Sequence, residues 1–313
     1  MEGNTRLIEF NNYIDLAELF KRHNRGFNEY VTMQIGYDEK IYILFNEQIP
    51  ERINGMFVPT ESNSRYYVLE LEVDWYEGSV INEKLYDLGN QKMNYSFVQP
   101  IEGGLLLVAA RCSFNKGNPD KNATIVDFSG NIVDELCLGD GISQCLYHPE
   151  IGIVIGYFDE GVFGNYGWTE PLGTYGVRVW GRDGQDVWKA DRPIFDCYAM
   201  NVSAAGDIWY YYYDEFKLIK ANINKPSEVE FDPGTKGSYS LIISEDTVTI
   251  ITDKGYDANE DYIAESVQGD KLSEPVPVSF AYKGEHCVLG LLASYGSKAA
   301  FVEGGTRLFV RKI

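Results

Sequence analysis

The chain has 313 residues, 44% hydrophobic and 14% aromatic, with 23 Tyr, 16 Phe and 31 Gly. That length can bury either two ordinary cores or one large all-β barrel or propeller, and the aromatic weight suits the half-buried pleat of a sheet. The formal net charge of −20 opposes phosphate backbones and anionic headgroups, so neither nucleic acid nor membrane is expected as a partner, whereas a cation or a basic protein is attracted.

In chain order, "MEGNTRLIEF" carries no apolar signal core, and no window approaches the roughly 18 apolar residues of a membrane span, so a cytoplasmic protein is expected. The run "YIDLAELFKRH" at residues 13–23 reads as one short helix, with Ile14, Leu16, Leu19 and Phe20 on its apolar side. Three glycines then stand between pairs of alternating apolar runs, "YYVLELEV" and "VINEKLYDL" around Gly78, "ATIVDF" and "NIVDELCL" around Gly130, "YGVRVW" and "QDVWKA" around Gly184. Each pair predicts a hairpin whose glycine supplies a positive φ. A second series, Gly104, Gly152 and Gly206, opens the strands "LLLVAARC", "IVIGYF" and "DIWYYYY".

Four strands therefore recur in each unit of about fifty residues, the spacing of a propeller blade. The units run roughly over residues 28–87, 94–138, 142–189, 197–231 and 238–280. The last unit has only the three strands "HCVLGLLA", "KAAFVEG" and "TRLFVRKI", and "NTRLIEF" is expected to supply its missing outer strand. Over almost the whole chain this pattern resembles bacterial six-bladed β-propellers of the WD40 and NHL type, without the Gly-His and Trp-Asp dipeptides of a true WD40 repeat. The resemblance implies an all-β fold, a six-bladed β-propeller closed by the N-terminal strand, with one short N-terminal helix and residues 1–313 in a single domain.

The resemblance also implies that short turns share one face and long connections the other. The long ones are "NEQIPERINGMFVPTESNS", "SFNKGNPDKN", "YFDEGVFGNYGWTEPLGTYG" and "DKGYDANED", and long loops without structure of their own mark binding surfaces. The third, residues 157–176, is the most elaborate. Its glycines allow a compact irregular backbone, and Asp159, Glu160, Phe163, Asn165, Tyr166 and Trp168 are its candidate ligand-binding residues. Phe163, Tyr166 and Trp168 have two readings, as the lining of a pocket or as packing that caps the core. Asp140, Asp191, Asp196 and Asp232 fall in connections assigned to the same face, where they suit a Ca²⁺ ion, a basic side chain or ordinary turns. Likeness to lactonase-like propellers, which hold a catalytic Ca²⁺, implies Glu160, Asn165 and Asp196 as a metal set.

Other chemistry has little support. "DANED" begins like a calcium loop at Asp257, Asn259 and Asp261, but Tyr262 stands where glycine is required and Gln268 where glutamate is. No GxSxG or HExxH occurs, and His23, His148 and His286 are scattered. No helical pattern follows the glycines of "GYFDEGVFG", so it is no dinucleotide fingerprint. The five cysteines lack a CxxC pair and read as small buried side chains, and the sequons at Asn94, Asn122 and Asn201 read as chance matches. The expectation is a non-enzymatic, monomeric binding module without cofactor, presenting its long-loop face to a protein or small ligand. The alternatives are a Ca²⁺-dependent hydrolase or lactonase and an acidic antagonist of a basic toxin.

Overall fold

A computed structural model describes residues 5–225, 228–252 and 261–313. Residues 253–260 of the loop "DKGYDANED", with Asp257 and Asn259, lie outside them. The chain forms antiparallel meanders of the β-propeller type. Contacts divide it into two compact units, one of Phe20–Glu72 with Asn82–Asp196, the other of the chain up to Leu19, Val73–Ile81 and the chain from Cys197 onward.

In the first unit the strands Tyr30–Ile35, Ile41–Asn46, Glu61–Asp74 and Ser79–Met93 form one blade, the tip of whose last hairpin belongs to the other unit. Phe97–Ile101, Gly104–Val108, Ala123–Val126 and Ile132–Leu136 form the next, and Ile142–His148, Gly152–Tyr157, Val177–Trp180 and Asp186–Lys189 the third. The predicted hairpin turns occur where expected. Gly130 has φ +81°, and a Cβ there would stand 2.3 Å from the carbonyl oxygen of Leu88, so the position needs glycine both for its conformation and for the backbone beside it. In the same turn Asp127 Oδ1 accepts the N–H groups of Ser129 and Asn131 at 2.8 and 2.9 Å, an Asx turn that satisfies its own backbone. A half-buried amide stitches neighbouring blades together. Gln34 donates to the Cys145 carbonyl at 2.9 Å and accepts from the Val98 N–H at 2.7 Å.

In the second unit Cys197–Val202, Ile208–Tyr212, Leu218–Ala221 and Val229–Phe231 form a blade, and Gly290–Tyr295, Lys298–Glu303, Arg307–Lys312 and Ile14–Asp15 another. The chain between them forms a seven-stranded sheet rather than a four-stranded blade. Leu241–Ile243, Thr247–Thr252, Asp261–Gln268 and Val276–Tyr282 are joined there by Arg6–Phe10, Lys271–Leu272 and Glu285–Cys287. Among the described residues there are thus five four-stranded blades, not the six expected.

The N-terminal closure is also corrected. Arg6–Phe10 does not pair with the C-terminal strand. It runs parallel to Val276–Tyr282, with Arg6 opposite Val278 and Phe10 opposite Tyr282. Packing explains the choice: Ile8 and Phe10 are buried while Leu7 is 61% exposed, and the Phe10 ring lies 5.7 Å from Phe280 and 4.7 Å from Phe309. The strand covers an edge that would otherwise be open. The C-terminal strand instead receives Ile14 and Asp15, opposite Leu308 and Arg307. This pairing is short because Asp15 at once caps the helix α1 (Leu16–Arg22), accepting the N–H groups of Ala17 and Glu18 at 2.9 and 3.0 Å. Leu16, Leu19 and Phe20 are buried as the helical pattern predicts. No helix among the described residues is long and apolar enough to cross a membrane.

Candidate functional site

Three long connections of the Phe20–Asp196 unit converge, and the stretch 157–176 is the hub. It is not wholly irregular. Asp159–Phe163 forms a one-turn helix, α2, which the sequence pattern does not predict, and Gly164 follows it with φ +98°. The glycines allow backbones to touch: a Cβ on Gly161 would lie 2.4 Å from the Asp140 carbonyl oxygen, and one on Gly173 would lie 2.6 Å from the Tyr157 ring. The far end of the loop is held by Arg178, which donates to the Leu172 carbonyl at 2.7 Å.

Arg111, at the end of the run "LLLVAAR", ties the cluster together. Its guanidinium donates to Asp140 at 2.8 Å and to Glu160 at 2.5 Å and lies 4.2 Å from the centre of the Tyr166 ring. Asp140 is 2% exposed and also accepts the Cys112 N–H at 2.8 Å. Burial pushes its carboxyl from 3.8 up to about 6, an effect that the Arg111 charge and the backbone hydrogen bonds only partly offset. Glu160 is more open. Burial raises its carboxyl, but hydrogen bonds from Asn165 and Arg111 outweigh this and hold it below its ordinary value.

Tyr166 and Trp168 are struts. The Tyr166 hydroxyl accepts from the Val58 N–H at 3.0 Å and donates to the Val58 carbonyl at 2.9 Å, fastening the first long loop to the third. The Trp168 indole donates to the Cys112 carbonyl at 2.7 Å, and its ring lies 4.9 Å from Phe114 in the second loop. Trp168 is buried. Asn165 shapes the turn, accepting the Tyr166 N–H on its side chain at 2.8 Å and the Trp168 N–H on its carbonyl at 2.9 Å. Asp159 accepts the Glu160 N–H at 2.7 Å at the start of α2.

Phe163 behaves differently. It is 63% exposed, and its ring meets that of Phe195, itself 49% exposed, at 5.1 Å in an edge-on arrangement. Phe195 lies in the connection after Asp186–Lys189, and sequence reasoning passed over it. Arg111 and Phe114 were also missed. A lone charge closing an apolar strand run was the available sign for Arg111; nothing local distinguished Phe114. Ile49, Ile53 and Met56 in the first loop are also exposed, Met56 at 72%.

The acidic residues are less concentrated than their shared face suggests. Asp140 is engaged by Arg111. Asp232 lies in the other unit with Lys217 at 2.6 Å, and Asp191 is exposed. Among the described residues no group of three His, Cys, Asp or Glu side chains is placed to hold a metal ion. Glu160 gives its carboxylate to a guanidinium, so Ca²⁺ held by Glu160, Asn165 and Asp196 would compete with a cation already in place. Asn122 and Asn201, two of the three sequon positions, are fully buried.

No protein-family model matches the chain, and no curated protein is similar to it in sequence. Among solved structures, a chain of the mitotic checkpoint complex superposes with TM-score 0.53 at 10% identity, covering 100% of this chain and 93% of its own. The β-propeller domain of Cps50 (Swd1) from Myceliophteria thermophila gives 0.49 at 9% identity, covering 91% and 84%. YCF48 bound to D1 peptide gives 0.49 at 9%, covering 99% and 84%. Such neighbours are WD40-type β-propellers, and at this identity the likeness extends to the fold alone.

Proposed function

We propose that the chain is a binding module and that the loop cluster of the Phe20–Asp196 unit receives a protein partner on Phe163 and Phe195. The observation that carries this reading is the exposed aromatic pair itself. Exposed large apolar side chains grouped on an ordered surface mark interaction sites, and aromatics dominate the energetics of such contacts. Here Phe163 stands on a loop tied by Arg111, Tyr166 and Trp168, so little ordering of that loop remains to be done on association. Two open rings suit a protein surface better than a small molecule, which is usually held in a concavity that encloses most of it. The negative net charge favours a basic partner and a fast, salt-sensitive encounter, and the neighbour in the mitotic checkpoint complex is itself part of a protein assembly.

The test compares the wild-type chain with the Phe163→Ser/Phe195→Ser variant as bait in an extract of the native cell, with captured proteins quantified. The reading requires at least one protein to be enriched by the wild type and lost with the variant, while the two chains melt at the same temperature. An identical captured set for both baits contradicts it.

A further inference from the structure

Cys112 and Cys137 are 25 residues apart in a sequence that gives no sign of their pairing, yet their sulfurs lie 4.0 Å apart. The blade's topology brings them together. Ala123 pairs with both Val108 and Leu136, so the segments leaving those two strands emerge side by side. The buried Asn122 amide then fixes both, donating to the carbonyls of Ala109 at 3.0 Å and Gly139 at 2.9 Å and accepting the Leu138 N–H at 2.9 Å.

The two thiols differ in access. Cys112, Cys145, Cys197 and Cys287 are buried, whereas Cys137 is partly exposed. We propose that Cys112 and Cys137 are a redox pair, Cys137 the thiol attacked first and Cys112 the resolving thiol, which closes to a disulfide with a peroxide as oxidant. The inference does not depend on the identity of any partner.

The chemistry balances with hydrogen peroxide. The Cys137 thiolate attacks one peroxide oxygen, the O–O bond breaks, and hydroxide leaves and is protonated to water, giving Cys137 sulfenic acid. The Cys112 sulfur, its proton lost, then attacks the Cys137 sulfur. The S–O bond breaks, a second water leaves, and two thiols have given two electrons to one peroxide. The environment supports these roles. The hydrogen bond shared by the two sulfurs lowers the Cys137 thiol below its ordinary value, with help from the Gly139 N–H and the Lys121 charge against the effect of burial, while the same bond and burial raise Cys112.

Closing a bond of about 2.05 Å draws the sulfurs together, and Cys112 is the residue whose N–H is held by Asp140 and whose carbonyl is held by Trp168. Oxidation therefore pulls on the same backbone that anchors the loop cluster, and a small thiol that reduces the disulfide releases it.

The experiment treats the full chain with hydrogen peroxide, alkylates free thiols under denaturing conditions and maps the peptides. The expected result is a Cys112–Cys137 cross-linked peptide that a dithiol reductant abolishes, with Cys145, Cys197 and Cys287 alkylated. In Cys112→Ser, Cys137 should accumulate as a sulfenic acid trapped by a dimedone probe, without cross-link. Trp168 emission, taken as the difference between wild type and Trp168→Phe, should change on oxidation and recover on reduction. Both thiols still alkylated after peroxide, or Cys137 carried to sulfinic acid with Cys112 free, would overturn the redox pair. Mapping the wild type decides this even if Cys112→Ser fails to fold. A cross-link that leaves Trp168 emission unchanged would overturn the link to the loops.

Discussion

Within the Phe20–Asp196 unit, the two kinds of connection solve the same problem in different ways. The short turns satisfy themselves: at Gly130 one aspartate, one positive φ and four or five residues complete the hydrogen bonding. The long connections cannot do so and satisfy one another instead, through Arg111, Tyr166 and Trp168, each of which reaches a residue far away in sequence. A turn built locally also carries an aromatic, Phe128 at 43% exposed, but lays it on Tyr86 and braces no second loop. A cluster built from cross-braces can place Phe163 and Met56 at the surface and still hold the loops that carry them, and that makes it the better candidate for recognition.

The comparison can be broken most severely at Arg111. Arg111→Met leaves the buried Asp140 carboxylate without its countercharge and should cost about 3–5 kcal/mol in urea unfolding. A cost under about 1 kcal/mol would mean that the loops do not lean on this residue. Gly130→Ala tests the turns: strain at positive φ should cost about 1–2 kcal/mol, and the clash with Leu88 about 1–3 kcal/mol more. Gly55→Ala in the first long loop, at φ +73° with nothing within 4 Å of the added carbon, should show only the strain. Trp168→Phe removes one indole hydrogen bond and should cost about 1 kcal/mol.

A pH profile sharpens the electrostatic part. Because the Asp140 carboxyl is raised to about 6 in the folded chain, the native state binds this proton more tightly than the unfolded state does. The associated stability is full below about pH 4 and is lost as pH rises through 6. Asp140→Asn should flatten that part of the curve. Glu265, buried and raised to about 7, principally by burial and further by the charges of Asp232 and Glu274, should keep the remaining decline toward neutral pH. The smallest stability effect belongs to Phe163→Ser/Phe195→Ser, within about 0.5 kcal/mol of wild type because both rings are exposed.

What was legible in the sequence followed local rules. Gly78, Gly130 and Gly184 marked turns because positive φ is a property of one residue and its neighbours, and alternating apolar runs marked most strands. The helix at Leu16–Arg22 was visible from its apolar side. Long-range pairing was not. "NTRLIEF" has the alternation of an edge strand, but alternation does not say which edge, and the Phe10 contacts with Phe280 and Phe309 decided it. The same holds for the site. Asp159, Glu160, Phe163, Asn165, Tyr166 and Trp168 became candidates through their unusual loop, while Arg111, Phe114 and Phe195 meet that loop only through partners that folding brings near. The two readings of the loop aromatics separate residue by residue, with Trp168 packed, Tyr166 bridging and Phe163 exposed.

Native-state hydrogen exchange on the amides of Val58, Cys112, Phe114 and Trp168 tests the central claim most directly, because these N–H groups belong to three different loops yet are held within one cluster. In wild type they should be protected and should open with a common free energy, and in Tyr166→Phe, which removes the hydroxyl that holds Val58, protection should fall at all four. Four amides that exchange independently, with only Val58 affected by the substitution, would contradict the account of a cross-braced loop platform.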